Sequence, residues 1–260
     1  MLTVSAGQVE EWMAQVFWPF VRVGSCLMFA PAFSAVEVPV RVRIVLAGAI
    51  AILIAPLVPP PPQVQPFSAA GMVITAQQVL IGAALGFALQ LVFDAVSMGG
   101  QLLANSMGLS FAYNLDPVRG TGTPVVGQLY SILVTLTFLA LDGHLRVLEV
   151  LVDGFRTLPL NTSGLGSAGL WHIVEWGSQI FAGALAIALP GMTALLIVNL
   201  AFGMISRAAP TLNLFAVGLP ISLLFGLAII MICLPALQAS FLRLLQQGLL
   251  LVQGLLAPGA

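Results

Sequence analysis

The chain contains no lysine. That absence excludes a Walker A phosphate loop, whose lysine reaches the phosphates, and equally a Schiff-base or pyridoxal-binding lysine. Charge of either sign is scarce, at 7% of residues against 60% hydrophobic, with a mean hydropathy of +1.09. No water-soluble globular domain sustains that balance. Eight arginines against nine acids leave a net charge of -1, so nothing points to a nucleic-acid partner. Cys26 and Cys233 lie in separate apolar runs without close polar flanks, and they make neither a disulfide framework nor a metal site. His144 and His172 are the only histidines, too few for a zinc site that needs three or four convergent ligands. No serine stands in a nucleophile-elbow motif. The first apolar stretch is preceded by Glu10 and Glu11 and by no basic residue, which is not the pattern of a cleaved signal peptide. These absences leave an all-α integral membrane protein with no catalytic constellation, no cofactor and no metal.

Long apolar runs are what the chain does have. Six blocks separate at polar or proline-rich breaks: Trp12 to Ala30, Ile44 to Val58, Ala69 to Tyr113, Val125 to Leu141, Trp176 to Ser206 and Ala208 to Leu250. A span needs roughly 20 apolar residues to cross about 30 Å of hydrocarbon. The third block is far too long for one span, and with Asp94, Gly99 and Gly100 inside it it is expected to be a helix to about Phe93 followed by a second, broken segment. Pro190 lies inside the fifth block and Pro220 and Pro235 inside the sixth. Each proline removes a backbone donor and clashes with the preceding turn, so kinked and broken helices are expected. Pro59 to Pro66 reads as an extended connector. With the N-terminus outside, arginine placement puts Arg41, Arg43, Arg119 and Arg207 on one side and Arg146, Arg156 and Arg243 on the other, which leaves the orientation open.

Polar atoms within these blocks, at Gln77, Gln78, Gln90 and Asn199, demand protein partners rather than lipid. Gly82 and Gly86 form a GxxxG pair, and Ala47 with Ala51 adds a second small-residue face. Arg22 and Asp94 are lone charges in their blocks, and pairing the two across helices or subunits is one way to satisfy both. The segment Leu141 to Arg156 spaces Asp142, Arg146, Glu149, Asp153 and Arg156 three or four apart, as an amphipathic interfacial helix would. The segment 105–124 fits neither helix nor strand period: Met107, Phe111 and Tyr113 stand among Gly108, Gly120 and Gly122. It is either a pore-plugging loop, buried in protein or lining a cavity, or a surface turn initiated at Asp116-Pro117. Trp176 to Leu242 carries one charge, Arg207, between two apolar runs, which makes a membrane hairpin with a cation near its tip. A secondary transporter would call for an inverted repeat. The proline-rich break occurs once, and the two halves differ in charge distribution.

The order of Arg22, Pro31, Phe33, Val38-Pro39 and Arg41-Val42-Arg43, then Gly82 to Gly86, then Gly108-Leu109-Ser110-Phe111-Ala112 and Asp116-Pro117, resembles the FliR family of flagellar biosynthesis proteins. The ending carries the likeness furthest: Ala188-Leu189-Pro190, Asn199, Gly203, Arg207-Ala208-Ala209-Pro210, Asn213, Phe215 and Gly218-Leu219-Pro220. The related injectisome export subunits share the broad pattern and are the alternative. The resemblance implies a core subunit of the type III export gate in the bacterial inner membrane, at the flagellar basal body. Its implied partners are FliP-like and FliQ-like subunits, FlhA and FlhB, and, transiently, unfolded export substrates. It further implies a FliP-like part over 1–175 and a FliQ-like hairpin over 176–260. A pore plug would lie at Met107, Phe111, Tyr113, Asn114 and Asp116, where Asn114 departs from the apolar residue of the family. Pro190, Asn199, Arg207, Pro210, Asn213, Phe215 and Pro220 would shape the hairpin and its assembly.

Overall fold

The computed structural model describes residues 6–34, 38–62, 64–109, 125–160, 164–208 and 214–256, without the side chains of 6–12, 206, 208 and 214–217. Among the described residues the regular structure is entirely helical. The helices are α1 (Ala6–Phe29), α2 (Val40–Ile54) with a 3-10 turn at Ala55–Leu57, α3 (Ala69–Ser106), α4 (Val125–Ala140), α5 (Gly143–Thr157), α6 (Ser167–Trp176), α7 (Ser178–Ala208) and α8 (Leu214–Leu255). Among the described residues, four helical segments are long and apolar enough to cross a membrane: Val40–Leu57, Ala69–Ser106, Ser167–Ile205 and Gly218–Leu255. The α4–α5 pair makes a fifth if its bend of 66° lies within one span.

One expectation about breaks is corrected. The third block does not end near Phe93: α3 runs unbroken from Ala69 to Ser106, through Asp94, Gly99 and Gly100. Those glycines serve close packing instead. A Cβ on Gly100 would stand 2.8 Å from the Cα of Gly127 and 2.9 Å from the Val126 carbonyl oxygen, so the two helices touch backbone to backbone. The prolines lie within their helices, Pro190 in α7 and Pro220 and Pro235 in α8. The sharp break occurs at Asp142, between α4 and α5. Its φ of 54° and ψ of 27° are left-handed, a conformation that Asp tolerates better than most residues. Its carbonyl then accepts from the amides of Leu145 and Arg146 to start the next helix.

The chain divides into two compact units: one of residues 1–91, 138–177 and 247–260, the other of 92–137 and 178–246. In the first unit α1 lies against α2, where Gly24 faces the methyl group of Ala47, and Ala47 and Ala51 are buried. The Gly82/Gly86 face of α3 receives the α1 backbone: a Cβ on Gly86 would stand 2.9 Å from the Ala30 nitrogen, and one on Gly82 would strike the Arg22 carbonyl. Ser68 caps α3, its Oγ accepting from the Gly71 amide at 3.1 Å. Helix α5 is amphipathic as expected. Val147, Val150, Leu151 and Phe155 are buried, while the pairs Arg146–Glu149 (3.3 Å) and Asp153–Arg156 (3.8 Å) lie on the open face.

Candidate functional site

The C-terminus of α3 is the root of segment 110–124. The amide of Leu109 bonds the Ala104 carbonyl and that of Gly108 the Asn105 carbonyl, both at 3.1 Å. Gly108 has φ 81°. This pair of bonds, closed by a left-handed glycine, is a Schellman stop, and it ends the helix where the apolar pattern alone did not. Met107, the first of the expected plug residues, is buried against Gly226 of α8. A Cβ on Gly226 would come within 2.6 Å of Met107 Cγ and 2.8 Å of its Sδ. Met107 therefore fixes the root of the segment. Phe111, Tyr113, Asn114 and Asp116 lie outside the described residues.

Beside this root is an open cavity of about 380 Å³. Asn105, Met107 and Gly108 line it from α3 and the turn after it, Asn199 and Phe202 from α7, and Ser222 from α8, with Gly203, Gly218 and Leu219 completing the wall. Asn199 Oδ1 accepts from Ser222 Oγ at 3.2 Å, so the polar atom of α7 finds a protein partner across the hairpin. Pro220, which follows Leu219, is exposed, as is Pro190. Arg207 is exposed in the last turn of α7, where the negative end of the helix dipole favours a cation. Pro210 and Asn213 lie outside the described residues. Phe215 belongs to the first turn of α8, and its side chain is not described.

Arg22 is completely buried in the first unit. Its Nε donates to Gln78 Oε1 at 2.6 Å, Nη1 to the Gly154 carbonyl at 3.0 Å and Nη2 to the Leu158 carbonyl at 2.9 Å. The guanidinium carbon lies 4.1 Å from the centroid of the Phe155 ring. The cation is thus held by the C-terminal end of α5, an amide oxygen and an aromatic face. The carboxylate partner expected in Asp94 is not what satisfies it. Asp94 itself is half-buried within the second unit. Gln78, Gln90 and Asn199 each obtain a protein partner: Gln78 takes Arg22, Gln90 Oε1 accepts from Ser34 Oγ at 3.4 Å, and Asn199 takes Ser222. The apolar pattern marks these amides but not their partners, and it gives no sign of Gly226, Ser222 or the α5 end. Nothing local marks a glycine or serine in an apolar run, or a backbone carbonyl, as one half of a contact made far along the chain.

The arrangement offers packing surfaces, a polar hairpin contact and a cavity beside the end of α3. Such a chain is a multi-pass helical membrane protein. Residues 13–248 match the family described as Bacterial export proteins, family 1, and the chain belongs to that family. It is 40% identical over 236 residues to the flagellar biosynthetic protein FliR of Pectobacterium carotovorum subsp. carotovorum, covering 90% of each chain. With the protein of the same name from Escherichia coli strain K12 it shares 39% identity over 235 residues and 90% of each chain. At 25% identity over 218 residues it also matches the FliR protein of Bacillus subtilis strain 168, covering 83% of this chain and 84% of that one.

Proposed function

We propose that this chain is a core subunit of the flagellar type III export gate, acting with FliP-like and FliQ-like subunits to pass unfolded flagellar proteins across the inner membrane. FlhA and FlhB are its further partners, and no chemistry is asked of the chain. The observation that carries the reading is a meeting within the second unit. The root of segment 110–124, at Met107 and Gly108, lies beside Asn199, Gly218, Leu219 and Ser222 of the α7–α8 hairpin, in a chain whose relatives carry a flagellar name along 90% of its length. A resting export channel must exclude ions and yet admit a polypeptide, which apolar tips on a glycine-containing loop do by excluding water. Phe111 and Tyr113 supply those tips, and Met107 anchors them. The FliP-like part is 1–175 and the FliQ-like hairpin 176–260. Co-purification from membranes tests the assembly: a stable complex containing FliP-like and FliQ-like chains is expected, and a homogeneous monomer that moves a small solute in liposomes would sink the proposal.

A further inference from the structure

We propose that Arg22 is an assembly latch, through which the N-terminal helix α1 takes its seat only when the C-terminal end of α5 is in place to receive the guanidinium. Two of its acceptors lie 132 and 136 residues further along the chain. Both are main-chain carbonyls at the end of α5, where helical geometry concentrates partial negative charge. They converge on Arg22 only once α5 has formed and ended. A carboxylate would have served in any backbone conformation; a helix end does not. Gln78 completes the receptor from α3, and Phe155 closes it with the face of its ring. The amide nitrogen of Gln78 has no hydrogen-bond partner among the described residues, so this side chain is turned toward the cation at the expense of its own donor.

The surrounding packing gives the latch one register. The Arg22 carbonyl accepts from Ser25 Oγ at 3.0 Å and faces Gly82, where any side chain would collide. One turn further on, the carbonyl of Cys26 faces Gly86. Helix α1 therefore cannot slide to bring the cation to other acceptors. Before α5 is present, the same arginine holds α1 out of apolar surroundings, because an unpaired cation there is costly. A receptor of this kind has a diagnostic asymmetry: removing one acceptor leaves a buried charge uncompensated, whereas removing the charge with it restores an apolar contact.

The buried thiol of Cys26 gives a native probe in the full chain carrying Cys233→Ser. Labelling by a membrane-permeant maleimide, in washed membranes, reads whether α1 is seated. Leu158→Pro sets a proline ring against the Gly154 carbonyl, and Gln78→Leu removes the third acceptor. Each is expected to speed Cys26 labelling about tenfold, the size of one unsatisfied buried group. Adding Arg22→Met to either is expected to return labelling to within about threefold of the parent. Arg22→Lys, which keeps the charge but cannot span three acceptors, is expected to label as fast as Gln78→Leu. If Gln78→Leu does not accumulate, restored accumulation on adding Arg22→Met becomes the readout. The latch is overturned if Gln78→Leu labels at the parent rate, or if Arg22→Met fails to rescue labelling or accumulation.

Discussion

Two glycines show how single positions acquire meaning from what approaches them. Gly226 lies in the apolar run Leu224-Phe225-Gly226-Leu227, and its want of a side chain is filled by Met107. Gly226→Val forces methionine and valine into the same space, and overpacking of this kind costs roughly 1–3 kcal/mol. Thermal unfolding of the purified protein in detergent should register the loss, and Met107→Ala placed in the same chain should recover part of it. An unchanged midpoint for Gly226→Val would contradict the contact. At Gly108 the constraint is backbone conformation instead, because its φ of 81° is unfavourable for a residue with a Cβ. Gly108→Ala is expected to cost about 1 kcal/mol in the same measurement, and its effect should add to that of a distant substitution such as Ser68→Ala. Gly108 was marked in the sequence by the irregular segment around it. Gly226 was not, because its partner arrives from another helix.

Helix boundaries follow local chemistry where that chemistry is a cap or a stop, and escape it where packing overrides propensity. Ser68 caps α3, and removing the cap with Ser68→Ala should cost on the order of 1 kcal/mol. The bend between α4 and α5 turns on the left-handed Asp142. Asp142→Gly should fold as well as the parent, since glycine reaches that region freely, whereas Asp142→Val should lose about 1–2 kcal/mol; detergent melts of the two side by side provide the check. Equal stability of the two variants would mean that the left-handed turn is not what fixes the bend. The prolines and the Gly99-Gly100 pair read as breaks because propensity disfavours them within helices. Gly100 is retained because two backbones meet there, and α7 and α8 carry their prolines in long helices whose other turns remain bonded.

Across the whole molecule, burial is uneven. In its most apolar window α3 is 67% buried within the chain, against 28% for Ser167–Ile205 and 17% for Gly218–Leu255. Phe181, Ile197, Leu200 and Met204 on α7, and Leu224, Met231 and Ile232 on α8, are open apolar groups. Under the export-gate reading, neighbouring subunits cover them. Cysteine placed at Ile197 or Met231, in the chain with Cys26 and Cys233 replaced, should crosslink to FliP-like or FliQ-like chains; crosslinking confined to lipid probes would count against that reading. Deleting Gly108–Asp116 should leave the membrane leaky to ions, and unchanged conductance would remove the plug from the mechanism. Read in order, the chain establishes the all-helical membrane class, the amphipathic α5, the need of the amides within the apolar blocks for protein partners, and the family likeness. All of these follow from composition and short-range spacing, which are properties of the chain read in order. Tertiary packing alone establishes that Arg22 is held by the end of α5, that Gly82, Gly86 and Gly100 are points of backbone contact, and that Met107 is locked beneath Gly226. Each of those joins residues far apart in the chain, and a periodicity carries no record of which distant surface will meet its face.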